Sequence, residues 1–226
     1  MAAGEGTRLR PITDEWPKPI LPVDGRPVIA LLLRELRAAG CGRATIVTGH
    51  LAEQVEALVG DGRGFGIAIT YVRQLRADGS ADAVQRALRG GAEPPAIIVA
   101  ADTVFAPGSI GLFRSAWGGG AGALAARPGQ PTSGGKPGIS ADEQGRVVRV
   151  VDDDPDCQLT SAPLWGLGEE LLPFFDALPG PPFELSAAYQ RAVDAGVDVQ
   201  LIVIPGTRDL THAEDLVREN FPYLAR

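Results

Sequence analysis

An α/β fold, with a mostly parallel but mixed sheet and helices on both faces, is what the order of apolar patterns in this sequence predicts. Two observations carry the prediction. Short apolar or β-branched runs alternate with longer amphipathic stretches, and "AIIVAAD" (96–102) is apolar without interruption, as a strand covered on both faces must be. A third is composition: 226 residues, 45% hydrophobic and 22% charged, are enough to bury a full core. One domain over 1–226 is expected, its first part to about residue 117 and its second from about 118.

The elements follow in order. "PVIALLLRELRAAG" places Ile29, Leu32, Leu33, Leu36 and Ala39 on one helical stripe, with Gly40 as C-cap. "ATIVTG" is a short strand, "LAEQVEALVGDG" a helix closed by Gly60, and "IAITYV" a strand of alternating polarity. "SADAVQRALRG" is helical and leads to the apolar strand 96–102. From Gly118 to Gly138 the pattern breaks into Gly, Pro and Ser, with one short apolar piece at Ala123 to Ala126, and this stretch is expected to be loops and a partial second layer before the strand "RVVRVV". "ELSAAYQRAVDAG", "VQLIVI" and "HAEDLVREN" complete the chain as helix, strand and helix.

A net charge of −7 and a pI near 4.9 disfavour a phosphate-tracking surface, so no nucleic acid is expected and any bound polyanion should be small. No apolar run is long enough to cross a membrane, and the start lacks the basic and apolar regions of a signal peptide, so the cytoplasm is the expected compartment. Cys41 and Cys157 have neither CxxC spacing nor close neighbours in sequence and read as buried small hydrophobes. His50 and His212 have no partner at ligand or triad spacing and read as structural.

The chain opens on "MAAGEGTRLRP". After Gly4 and Gly6 the third glycine of a dinucleotide fingerprint is replaced by Leu9, and "GGKPG" near Lys136 is not a P-loop. What remains is a turn whose glycines allow close backbone approach to an anion, with Arg8 beside it; an ordinary turn carrying an exposed arginine would look the same. Such a turn is normally delivered by a buried strand, so an apolar run upstream of Met1 is expected to complete the first strand, which is truncated as written; a short strand of Met1 to Ala3 is the alternative.

"AAGEGTRLRPIT" followed by "PKPILPVDGRPVI" resembles the signature of sugar nucleotidyltransferases, the sugar-1-phosphate nucleotidylyltransferases or NDP-sugar pyrophosphorylases. The resemblance continues through "VTGHLAEQVEALVGDGRGFGIAITYVRQ", "DGSADAVQRAL", "VAADTVF", "DEQGRVVRVV" and "RDLTHAEDLVREN", so it covers most of the chain. It implies a Rossmann-like, GT-A-like sheet whose central first strand precedes the glycine turn. It also implies roles. Ala3 and Gly4 fall where backbone meets base and ribose; Gly6, Thr7 and Arg8 where the triphosphate is held; Lys18, in "PKP", where the reacting phosphates are neutralised. Gln74, Gly79 and Ser80 match positions that read the base, and Asp102 and Asp209 match two carboxylates that hold a divalent metal, magnesium by preference. Physical chemistry makes that last pairing reasonable by itself, since ligands of open α/β sheets sit beyond the carboxyl ends of strands and a phosphate-bound hard cation needs one or two carboxylates. The simpler readings are a turn aspartate at 102 and a helix cap at 209. Asp61 and Asp82 read as turn and helix-surface residues, and Lys136 as a charge in an irregular loop outside the phosphate site.

The reaction implied is attack by the phosphate oxygen of a sugar-1-phosphate on the α-phosphorus of a nucleoside triphosphate, releasing pyrophosphate and giving an NDP-sugar. The alternative is an inactive nucleotide-binding relative acting as sensor or partner; the presence together of Arg8, Lys18, Asp102 and Asp209 favours the enzyme. The acceptor side departs from the family. Its Glu-Lys-Pro becomes "DDDPD", so Asp152 stands for the glutamate and the lysine is absent. Its Asn-Ala-Gly becomes "SAPLWG", bringing Ser161, and Thr103 replaces a common asparagine. Thr103, Asp152 and Ser161 are therefore the acceptor-side candidates, and an unusual phosphorylated acceptor is expected. The sequence selects neither the base nor an oligomeric state.

Overall fold

The computed structural model describes residues 1–131 and 136–221. Its first half follows the predicted rhythm. Strand Arg43–Thr48 runs parallel to Ala68–Arg73 in unbroken register. The helix Val28–Ala38 lays Ile29, Leu32, Leu33 and Leu36 into the core with Ile46, all buried, at the i, i+3, i+4, i+7 spacing that puts them on one face, while Val28 packs in a separate cluster with Leu9, Leu21 and Val23. Each such side chain contributes about 1.5–3 kcal/mol on burial. Ala52–Val59 and Ser80–Arg89 are the next two helices, the first closed by Gly60 at φ +59 as expected.

Residues 1–3 lie between the two layers of strands. Ala2 forms a parallel bridge with Thr48, its N–H donating to Val47 O at 2.8 Å, while Ala101 N donates to Met1 O at 2.8 Å on the other side. The amino group of Met1 donates to Val99 O at 2.7 Å. Three residues thus join Arg43–Thr48 to Ala96–Val99 and aim the chain at the glycine turn.

The second half corrects the reading of 118–138. Gly122–Pro128 is not a loop but a seven-residue buried strand, parallel to Val199–Val203 and antiparallel to Leu159–Leu167. It is covered on both faces: Ala123 and Ala125 enter a core with Ile29, Val55, Phe113 and Leu164, while Leu124 and Ala126 enter one with Leu171, Leu185 and Tyr189. With both faces apolar, and alanine a weak strand former, neither alternation nor β-branching could mark it. Leu159–Leu167 escaped the sequence reading because Pro163 interrupts it. The proline sits at a register shift between Ser161 and Trp165, where its missing N–H breaks no ladder bond. This strand also pairs antiparallel with Ala96–Val99 and so joins a strand of the first half to a mixed six-stranded sheet. Strands Gly138–Ala141 and Val147–Asp152 extend it, with helix Leu185–Asp194 packed beneath.

Two smaller elements also went unread. Helix Ser109–Trp117 buries Ile110, Phe113 and Trp117, and the three-residue strands Thr103–Phe105 and Thr207–Asp209 pair antiparallel. The cysteines are half-buried rather than buried: Cys41 packs against the first core, while Cys157 lies in an aspartate-rich turn where burial and Asp152 push its thiol up. The histidines are structural as read. His50 Nε2 meets Thr13 O at 2.6 Å, and His212 caps helix Ala213–Asn220 in a reciprocal box with Asp215.

Candidate active site

The glycine turn is held from beneath. Leu9 and Thr13 are buried, and Thr13 Oγ1 donates to Gly6 O at 2.9 Å. Gly6 has φ +65, and a Cβ there would lie 2.9 Å from Thr13 Cγ2, so both conformation and space require glycine. Gly4, Thr7 and Arg8 are exposed on the turn, and Ala3 is buried with its carbonyl accepting from His50 N–H. Arg10 pairs with Glu5 and Asp14, whereas Arg8 makes no ion pair among the described residues. Arg8 therefore presents an uncompensated charge beside open backbone.

Asp102 and Asp209 come together through the short ribbon. Thr103 is register-paired with Asp209, and its buried hydroxyl donates to Asp209 Oδ1 at 2.9 Å with Asp102 Oδ1 at 3.4 Å. Both Oδ1 atoms thus converge on one side-chain oxygen, a hard donor pair suited to a divalent cation. Among the described residues no group of three or more His, Cys, Asp or Glu side chains gathers as a metal site. Lys18 Nζ reaches Asp102 Oδ2 at 2.6 Å. The helix-cap reading of Asp209 falls, since His212 holds that position.

Asp209 carries two further cations. Arg127 Nη1 lies 3.1 Å and Lys136 Nζ 2.9 Å from the same oxygen, Oδ2. Burial pushes the Asp209 carboxyl up, but Arg127, Lys136 and the Thr103 hydroxyl outweigh it and hold it below the usual carboxylate range. Burial in turn pulls the Arg127 guanidinium down, against the pull of Asp209. Lys136, expected from its irregular surroundings to lie apart from the candidate site residues, pairs with Asp209. Arg127 was missed altogether; a lone charge ending the run "GALAARP" was its only signal, read as loop.

At the other end of the site, Gln74 is buried and its amide is committed. Nε2 donates to Gly79 O at 3.0 Å and to Asp82 Oδ2 at 2.7 Å, and Arg86 Nε holds the same Asp82 oxygen at 2.6 Å. Two acceptors on one side fix the amide's orientation, so its N–H₂ faces inward. Asp82 is therefore not merely a helix-surface residue: it is half-buried and holds Gln74, whereas Asp61 is the exposed turn residue expected. Gly79, at φ +110, has no room for a Cβ because the Phe183 backbone lies against it; Ala81 N–H donates to Phe183 O at 2.8 Å. Ser80 Oγ binds the Glu184 carboxylate and accepts from Leu185 N–H.

The acceptor-side candidates divide. Thr103 lies between the site carboxylates. Ser161 shares the face of its partner Ala126, the face opposite Arg127 and Thr160, so no contact brings it to Asp102 or Asp209 among the described residues. Asp152 ends its strand in a turn stabilised by its own carboxylates, where Asp154 N–H donates to Asp152 Oδ1 and Asp156 N–H to Asp154 Oδ1. It too makes no described contact with the two site aspartates.

Comparison with known proteins places this geometry. A family model described as nucleotidyl transferase matches residues 1–126. The low-salt glycan biosynthesis nucleotidyltransferase Agl11 of Haloferax volcanii is 28% identical over 230 residues, covering 97% of this chain and 64% of that protein. A glucose-1-phosphate thymidylyltransferase of Streptomyces antibioticus is 30% identical over 230 residues, with the same coverage of 97% and 64%. The chain therefore spans 64% of the length of these relatives. Among solved structures, a putative glucose-1-phosphate thymidylyltransferase from Bacillus anthracis superposes with a TM-score of 0.83 at 20% identity, covering 100% of this chain and 93% of that one. A UDP-glucose pyrophosphorylase complexed with UDP-glucose gives 0.79 at 20% identity, covering 99% and 96%, a likeness of fold. With the family match spanning more than half of the chain, this chain belongs to the nucleotidyl transferase family.

Proposed function

We propose that this protein transfers a nucleoside monophosphate from a nucleoside triphosphate to a sugar-1-phosphate, or a related phosphorylated acceptor, releasing pyrophosphate. The observation that carries this reading is the chain of contacts from Lys18 to Asp102, from Asp102 to the Thr103 hydroxyl and from that hydroxyl to Asp209. Those groups come from chain positions up to 106 residues apart in a single contact, an arrangement that surface capping does not require.

The residues divide the work. Ala3 and Gly4 meet the base and ribose with backbone atoms, Gly6 and Thr7 hold the triphosphate, and Arg8 meets its charge. Gln74 and the Gly79–Ser80 turn bound the base, with the amide fixed so that its carbonyl oxygen is the group left to accept from a base N–H. Asp102 and Asp209 would hold a divalent cation, magnesium by its preference for carboxylate and phosphate oxygens, which would neutralise charge on the reacting phosphates. Lys18 adds a second positive charge beside Asp102. The acceptor phosphate is already ionised at neutral pH, so no protein base is needed; orientation and charge do the work. The nucleotide-binding part is about 1–117 and the acceptor-binding part about 118–226. The cytoplasm is the compartment proposed; no helix among the described residues is long and apolar enough to cross a membrane.

The test is pyrophosphate release with magnesium over a panel of triphosphates and sugar phosphates. Asp102→Asn, which keeps shape and loses charge, should abolish turnover while leaving the melting temperature nearly unchanged. No release with any pair, or full activity in the variant, would refute the assignment.

A further inference from the structure

A cavity of about 520 Å³ is lined by Glu15, Trp16, Ile20, Pro27, Gln54 and Leu58, none of them a candidate active-site residue. Its size falls within the roughly 300–1,000 Å³ of small-molecule sites. Four of the six are apolar, and two of these are large side chains left open: Trp16 is 54% exposed and Leu58 43%. Trp16 follows helix Ile12–Glu15 and Leu58 stands on helix Ala52–Val59, so the two line one cavity from separate elements. The Trp16 indole makes no ring contact among the described residues. The polar part of the wall is one-sided. Gln54 Nε2 donates to Glu15 O at 2.7 Å, and Gln54 Oε1 is buried without a partner. The Glu15 carboxylate forms no ion pair among the described residues; the basic groups closest to it in sequence, Arg10 and Lys18, are taken by Glu5, Asp14 and Asp102. No basic side chain lines the cavity.

We propose that this cavity binds a small organic ammonium ion, a protonated amine carried on an apolar body. The charge pairs with Glu15, its N–H groups offer Gln54 Oε1 the donor it lacks, and the apolar body covers Ile20, Pro27 and Leu58. Trp16 contributes twice, as apolar surface and through the attraction of the indole face for a cation. An anion of the same size would be repelled by Glu15, and a neutral molecule would leave that carboxylate unanswered. The wall belongs to the segment that leads from the glycine turn to Lys18, yet the site stands whether or not the transferase reading does.

The experiment is calorimetric titration of the full chain near neutral pH with phenethylamine, and separately with phenethyl alcohol, which has the same body without the charge. The amine should bind saturably with a Kd of about 1 mM or tighter, and the alcohol about tenfold more weakly or not at all. Glu15→Gln should raise the Kd of the amine about tenfold and leave that of the alcohol within about twofold. Trp16→Ala should weaken the amine about tenfold or more, whereas Trp16→Phe, which keeps an aromatic face, should retain most of the affinity. Glu15 and Trp16 are both exposed, so the melting temperature of each variant should stay nearly unchanged and lost binding reports the site rather than the fold. No saturable binding of the amine up to about 10 mM, equal affinity for amine and alcohol, or an amine Kd unchanged by Glu15→Gln or Trp16→Ala would overturn the proposal. Sedimentation showing a dimer that Trp16→Ala disperses would overturn it too, since a second copy of the chain would then be the occupant.

Discussion

Asp209→Asn and Arg127→Met should destabilise the fold unequally, and the inequality can be worked from the site. Arg127 is 6% exposed and Asp209 17%, so their pair is largely withdrawn from water. Removing one partner of a buried pair costs about 3–5 kcal/mol, because the other charge is left uncompensated. Asp209→Asn strands Arg127, whose only carboxylate partner among the described residues is lost, and belongs at the upper end of that range. Arg127→Met leaves Asp209 still paired with Lys136 and donated to by Thr103, so its cost should be about 1–3 kcal/mol. The double variant should recover part of the loss, since neither charge remains to be buried. At roughly 2–4 °C per kcal/mol for a chain of this size, the Asp209→Asn melting point should fall by about 6 °C or more. Urea unfolding of the two single variants and the double variant closes the cycle. Equal single costs, or a coupling below about 0.5 kcal/mol, would show that the pair is solvated and the reasoning wrong.

The same carboxylate gives a pH signature. Its folded pKa is depressed below the ordinary value near 4, so its stabilisation is present above that value and lost as pH falls through the folded one. The stability gap between wild type and Asp209→Asn should therefore be full at pH 7 and shrink below about pH 4; a gap constant from pH 7 to pH 3 would contradict this. Lys18→Gln should slow turnover by about a hundredfold, whereas Arg10→Gln, in an exposed pair with Glu5, should change it less than about twofold. Comparable losses in initial-rate assays would count against the placement of Lys18. Gly79→Ala should destabilise the fold by more than about 2 kcal/mol and raise the triphosphate KM, because φ +110 and the Phe183 backbone both exclude a side chain; an unaffected urea midpoint would refute it.

What the sequence made legible is the part whose signals are local. The helix at Val28–Ala38 and the strands at 43–48 and 68–73 announce themselves by period and by glycine stops. The paired aspartates followed from resemblance, and the structure joins them through Thr103. What stayed hidden depends on partners distant in sequence. Gly122–Pro128 is a strand because neighbours cover both its faces, and a run of alanines does not say so. Lys136 and Arg127 acquire meaning only from Asp209, and Asp82 only from Gln74. Pro163 fits within a strand because it falls at the register shift between Ser161 and Trp165.

The ribbon that pairs Thr103 with Asp209 also imposes an order in time. Chains emerge from the ribosome N-terminus first, and closing so long a loop is entropically slower than forming the local helices and strands before it. The turn at 4–8, Lys18 and Asp102 can be in place while Asp209, 106 residues beyond Thr103, has yet to arrive. Lys18 and Asp102, which pair at 2.6 Å in the folded chain, are both synthesised before Asp209. The contact of Thr103 with Asp209 is therefore expected to be among the last of the candidate site to form.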